Sequence, residues 1–167
     1  MLRGGYAALS TVNILFAADL SEPPSLIQEV EQFARRLNAE LLVLHVTSPY
    51  PATPFVPVDP LTGLTGYAPY TVYDPNLQQE LDQAAARAYH TFLTSHFTLP
   101  IRAALREGNP ARVILADADD LDVGMIILGK RRQSRLQRFF LGSVVREVVE
   151  HTTRPTLLLP IHEERSQ

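Results

Sequence analysis

At 167 residues, 46% hydrophobic and 20% charged, the chain has the composition of one globular domain large enough to bury an ordinary core, and nothing in it suggests a second. A net charge of −3 argues against a general DNA or RNA binder, and the absence of cysteine rules out disulfides, thiol chemistry and cysteine metal sites. The five histidines lack ligand spacing, so no metal site is expected, and no apolar run approaches the ~20 residues of a membrane span.

The N-terminal stretch Met1 to Ser10 is too short and glycine-broken for a signal peptide, which makes a soluble, cytoplasmic protein the expectation. Asn13 to Asp19 is a near-continuous apolar run closed by an acid, the pattern of a parallel strand buried on both faces. Leu26, Ile27, Val30, Phe33, Ala34 and Leu37 then recur at helical spacing, with Asn38 as the stop. Glu40 to Val46 repeats the buried-strand pattern, so the first connection is a βαβ crossover.

From Ser48 to Pro75 the composition changes, with seven of the 13 prolines in this stretch, and neither a core helix nor a central strand is compatible with it. It is read as a flexible insertion loop within a single domain of 1–167. A helix follows, marked by Leu77, Leu81, Ala84, Ala85, Ala88 and Phe92, and Ile101 to Arg106 alternates weakly, as a strand near the sheet edge would. Gly108-Asn109-Pro110 reads as a turn and helix start, with Asn109 as N-cap and Pro110 at the first helical position. The acids Asp117, Asp119, Asp120 and Asp122 are read as a solvated helix end, not a metal cluster, because they precede a buried strand at the end opposite any ligand.

Val123 to Gly129 is the next strand, Ser143 to about Thr152 the last helix, and Pro155 to Pro160 the final strand. Between Gly129 and Ser143 the segment Lys130 to Arg138 carries five cationic side chains and no acid. Backbone N–H groups at a helix start favour an anion, so phosphate is the first ligand to consider there, and an acidic protein partner the second. Ser143 is itself a favoured N-cap type, so part of this signal needs no ligand. The sequence has no GxxxxGK[ST] loop, no GxGxxG after the first strand, no GxSxG elbow and no HExxH. His45 reads as a structural side chain, and no catalytic residue can be assigned.

The order of elements, the first strand ending in Asp19, the Leu44-His45-Val46 ending, the Gly108-Asn109-Pro110-Ala111 turn, and Leu128-Gly129 through Leu141-Gly142-Ser143 together resemble the universal stress protein family. In its nucleotide-binding members the loop reads Gly, two residues, Gly, nine residues, Gly, then Ser or Thr. Here it reads Gly129, two residues, Arg132, nine residues, Gly142, Ser143, so the spacing is kept and one glycine is replaced. The resemblance implies an α/β fold with an open five-stranded parallel sheet of order 3-2-1-4-5 and four helices on both faces. It further implies a homodimer through the C-terminal strand and a site for ATP or another adenine nucleotide, with magnesium as an accompanying ion. On this reading Asp19 holds the ribose or adenine edge and the Val46 backbone the adenine, while Gly129, Gly142 and Ser143 cradle phosphates. Ala17, Leu128 and Val144 complete the site, and Arg132 either clamps a phosphate or fills its place. A degenerate pocket on the same fold, serving as a protein-interaction module, is the alternative. The function implied is a non-catalytic one in stress response or signalling.

Overall fold

A computed structural model describes residues 12–47, 75–131 and 142–161. The expected disposition of the 48–75 segment therefore lies outside the described residues, Pro75 apart. Among the described residues nine elements alternate: β1 (Asn13–Ala17), α1 (Pro24–Leu37), β2 (Glu40–Thr47), α2 (Pro75–His96), β3 (Ile101–Glu107), α3 (Pro110–Asp120), β4 (Met125–Arg131), α4 (Ser143–His151) and β5 (Thr156–Ile161). The five strands form one parallel sheet of order β3-β2-β1-β4-β5, the order the resemblance implied.

Strand β1 is central because its apolar run can be covered on both faces. Ile14, Leu15 and Phe16 are fully buried, in register with Leu41, Leu42 and Val43 on one side and Met125, Ile126 and Ile127 on the other. Their side chains alternate between two cores. Ile14 and Phe16 pack on α1 and α2 with Leu26, Ile27, Val30, Tyr89 and Phe92, while Leu15 faces Ile114, Ala118 and Val148 of α3 and α4. The chain steps outward from β1 to β2 and β3, then returns across β1 to β4 and β5, so β1 marks the reversal where such sheets open a crevice.

Local signals set the helix ends. Asn38 ends α1 in the left-handed conformation, with its N–H on the Arg35 carbonyl at 3.2 Å. Asn109 caps α3, its side-chain oxygen accepting from the Arg112 N–H at 3.1 Å. Of the carboxylates expected to be solvated, Asp119 and Asp122 are exposed and reached by Arg154 at 3.3 and 2.6 Å, whereas Asp117 is half-buried and lies 3.3 Å from Arg106. Among the described residues no His/Cys/Asp/Glu group is placed to hold a metal ion, and no helix is long and apolar enough to cross a membrane.

Three local expectations are corrected. Strand β4 does not stop at Gly129 but continues through Lys130 and Arg131, because these still pair with Pro160 and Ile161 of β5. The N-cap of α4 is Gly142, and Ser143 is the first helical residue. On α2, Ala84 and Ala88 are exposed and the buried face runs through Tyr89 and Phe92. Tyr89 supplies what the alanines do not. Its hydroxyl donates to the Val43 carbonyl at 2.7 Å and accepts from the Ala104 N–H at 3.1 Å, tying α2 to both β2 and β3. Burial, partly offset by the Ala104 N–H, pushes that hydroxyl up to about 12. Tyr89→Phe leaves a buried carbonyl and N–H without their partner, and should lower stability by about 1–3 kcal/mol in chemical denaturation. A loss below a few tenths would show that the bridge is not needed.

Candidate functional site

The C-terminal ends of β1, β2 and β4, with the starts of α3 and α4, enclose a cleft of about 230 Å³. Leu44, Val46, Ile114, Leu128, Val144 and Val145 form an apolar wall, and Asp19, Glu22 and His45 supply its polar groups. The volume lies just below the range of about 300–1,000 Å³ usual for small-molecule sites, and suits part of a nucleotide better than the whole.

The turn after β1 builds the polar side. Ala18 extends the strand pairing by one more bond, its N–H on the Leu44 carbonyl at 2.8 Å, and the chain then leaves the sheet. Asp19 does not cap α1, whose N-cap is Pro23 with no side-chain hydrogen bond. Instead its Oδ1 accepts from the Ser21 N–H at 2.9 Å and from the Ser21 hydroxyl, closing an Asx turn. Leu20 between them sits at φ 69°, an uncommon conformation for a side chain of its size that costs of order 1 kcal/mol. That strained turn aims the Asp19 N–H at Oε1 of Glu22, 2.7 Å away.

Glu22 is the residue that sequence reasoning missed. It is 5% exposed, and its other oxygen, Oε2, is buried and without a hydrogen-bond partner among the described residues. Burial raises its carboxyl to about 6, reinforced by the charge of Asp19 and opposed by the Asp19 N–H. Ser-Glu-Pro-Pro reads as an exposed loop, and only the tertiary fold brings it against β4. His45, read from the sequence as a structural side chain, lines the cleft: its Nδ1 lies 2.8 Å from the Ala18 carbonyl and its ring stacks on Tyr89 with centroids 5.9 Å apart. Nδ1 therefore carries the proton, since a carbonyl can only accept.

Of the residues expected at the site, Ala17, Asp19, Val46, Leu128, Gly129 and Val144 line this one cleft. Gly142 and Ser143 do not line it. They are exposed at the start of α4, where first-turn N–H groups lack intrahelical partners, next to Val144 of the cleft wall. Arg132 lies outside the described residues. The two glycines differ in kind. A Cβ at Gly129 would stand 3.1 Å from Cδ1 of Ile161 and 3.8 Å from Cγ of Glu22, so this glycine permits close packing inside a strand. At Gly142 a Cβ would meet none of the described residues within 4 Å, so packing among them gives no reason for glycine there. Pro110 and Ile114, unassigned from the sequence, also line the cleft because the Gly108-Asn109-Pro110 turn closes over it. Gly108, at φ 146°, places its N–H on the Thr47 carbonyl at 2.9 Å.

Comparison with known proteins bears on this arrangement. A family model described as the universal stress protein family matches residues 12–160. No curated protein matches the sequence. Among solved structures, the hypothetical protein MJ0577 superposes with a TM-score of 0.64 at 20% identity, covering 92% of this chain and 98% of its own. UspA from Lactobacillus plantarum, a universal stress protein, gives 0.55 at 21%, covering 89% and 97%. A universal stress protein in complex with cAMP gives 0.53 at 17%, covering 92% and 99%. At these identities the structural likeness speaks to the fold, and the family match spans most of the chain.

Proposed function

The chain belongs to the universal stress protein family, and from that premise we propose that it is a non-catalytic module binding ATP, AMP or another adenine nucleotide, working as a homodimer in stress response or signalling. One observation carries the reading: the cleft at the sheet's point of reversal combines an apolar wall with a polar turn, and the open start of α4 adjoins it. The apolar wall suits a purine ring, and the helix start suits phosphate. A magnesium ion would be held by the phosphates themselves, since among the described residues no His, Cys, Asp or Glu group is placed to hold a metal. The cAMP complex of a related protein lends support to this ligand class. Strand β5, at the edge of the sheet, offers the surface for a second copy. Absence of cysteine accords with a cytoplasmic location.

Calorimetry with ATP tests the proposal, with binding expected in the micromolar range, roughly −8 kcal/mol. No heat and no thermal shift at millimolar ATP would overturn it. A second reading rests on Arg132 standing where nucleotide-binding relatives carry glycine: a degenerate pocket in a protein-interaction module, docking an acidic partner on the Lys130 to Arg138 segment. Arg132→Gly separates the two. Tighter ATP binding in the variant favours the degenerate pocket, and weaker binding favours a phosphate clamp.

A further inference from the structure

Glu22 lines the cleft next to Gly129, and its two carboxyl oxygens are in different circumstances. Oε1 is committed to the Asp19 N–H at 2.7 Å, while Oε2 is buried and meets no donor among the described residues. A buried carboxyl oxygen without a donor is destabilising, and folded proteins rarely keep one unless something else supplies the hydrogen. The turn that holds it includes Leu20 at φ 69°, a sparsely populated conformation of the kind that clusters at ligand sites.

The chemistry of the missing partner follows from what can donate. An ionised phosphate has only acceptors, and two acceptors face to face repel. A purine ring is better placed against Leu44, Val46, Ile114, Val144 and Val145, on the apolar wall. The exocyclic N6 amino donors of adenine go with the ring to that wall, which leaves the sugar hydroxyls as the donors for Oε2. Resting on the adenine-nucleotide reading above, we propose that Glu22 is a specificity residue whose Oε2 accepts a hydrogen bond from a ribose hydroxyl. The Gly129 end of the cleft then takes the sugar, and the phosphates lie toward the start of α4. This differs from the sequence-based expectation, which put phosphate at Gly129.

The experiment is a cycle of two proteins and two ligands, read by titration calorimetry on the full chain. ATP and 2′,3′-dideoxy-ATP differ only in the donors at issue. Wild type should prefer ATP by about tenfold or more, the usual effect of one hydrogen bond to a charged group. In Glu22→Gln the Asp19 N–H holds the amide oxygen, so an NH₂ replaces Oε2 and the acceptor is gone. The preference should then collapse toward one. Equal affinity for the two ligands in wild type overturns the assignment, even if the variant fails to fold. A variant that weakens both ligands equally also overturns it, since that marks a structural role. If wild type binds neither ligand, the nucleotide reading itself has failed. If both bind and only the preference is missing, Glu22 alone is misassigned.

Discussion

Phe16→Ala should destabilise the protein by about 4 kcal/mol, seen as a lower urea midpoint with an unchanged slope. Phe16 is fully buried in the central strand, flanked in register by Val43 and Ile127. Its ring meets Phe97 with centroids 6.4 Å apart, and Phe97 meets Phe92 at 5.9 Å in an edge-on arrangement. Truncation therefore opens a cavity between β1 and the end of α2, whose neighbours are held by strand pairing and cannot collapse inward. Against a typical total stability of about 5–15 kcal/mol, a loss of this size leaves little margin at physiological temperature. A loss below about 2 kcal/mol would mean that the surrounding aromatics repack.

Glu31→Ala should cost about 3 kcal/mol, for a different reason. Glu31 is 6% exposed on α1, and its Oε1 accepts from the N–H groups of Thr98 and Leu99 at 2.6 and 2.7 Å. Oε2 takes the Thr98 hydroxyl at 2.8 Å. The carboxylate thus serves as the anchor for the turn between α2 and β3. Burial alone would raise its carboxyl, but the Leu99 and Thr98 N–H groups, the Thr98 hydroxyl and Arg35 outweigh that and hold it below 4.5. A depressed value means stabilisation that is present at neutral pH and lost as pH falls below about 4.5 through the folded value. Acid titrations of wild type and Glu31→Gln should therefore converge at low pH. A constant difference across the acid range would contradict the role assigned to the charge. Glu22 works in the opposite sense. Its carboxyl is raised to about 6, so the unliganded protein gains stability as pH falls from there toward 4.5.

Where local pattern decides structure, the sequence was informative. The apolar runs at Asn13, Glu40 and Met125 became the three inner strands, and Asn38 and Asn109 ended and began their helices. The strand order came from the family resemblance, because periodicity does not specify which strands are neighbours. What stayed hidden depends on partners distant in the chain. Glu31 lies 67 residues from Thr98, and nothing about a glutamate on a helix reveals a turn waiting for it. Tyr89 was obscured by the alanines around it, since its burial depends on reaching Val43 and Ala104 across two strands. Glu22 was invisible for the same reason, lying in a proline-bounded loop that only the completed sheet covers. Gly129 looked like a strand terminus because glycine usually interrupts a strand, and the close approach of Ile161 is what reverses that expectation.

The two faces of the sheet carry different burdens. Phe16, Tyr89 and the α1 helix that bears Glu31 lie on the α1 and α2 side, whereas most of the cleft wall belongs to the α3 and α4 side, with Ala18 among the few residues in both settings. Sites more than about 7–10 Å apart with no shared partners behave additively. Away from the Tyr89–His45 stack, which joins the two faces, this molecule should consequently tolerate separate evolution of durability and recognition: one face can be retuned for temperature while the other is reshaped for a new ligand.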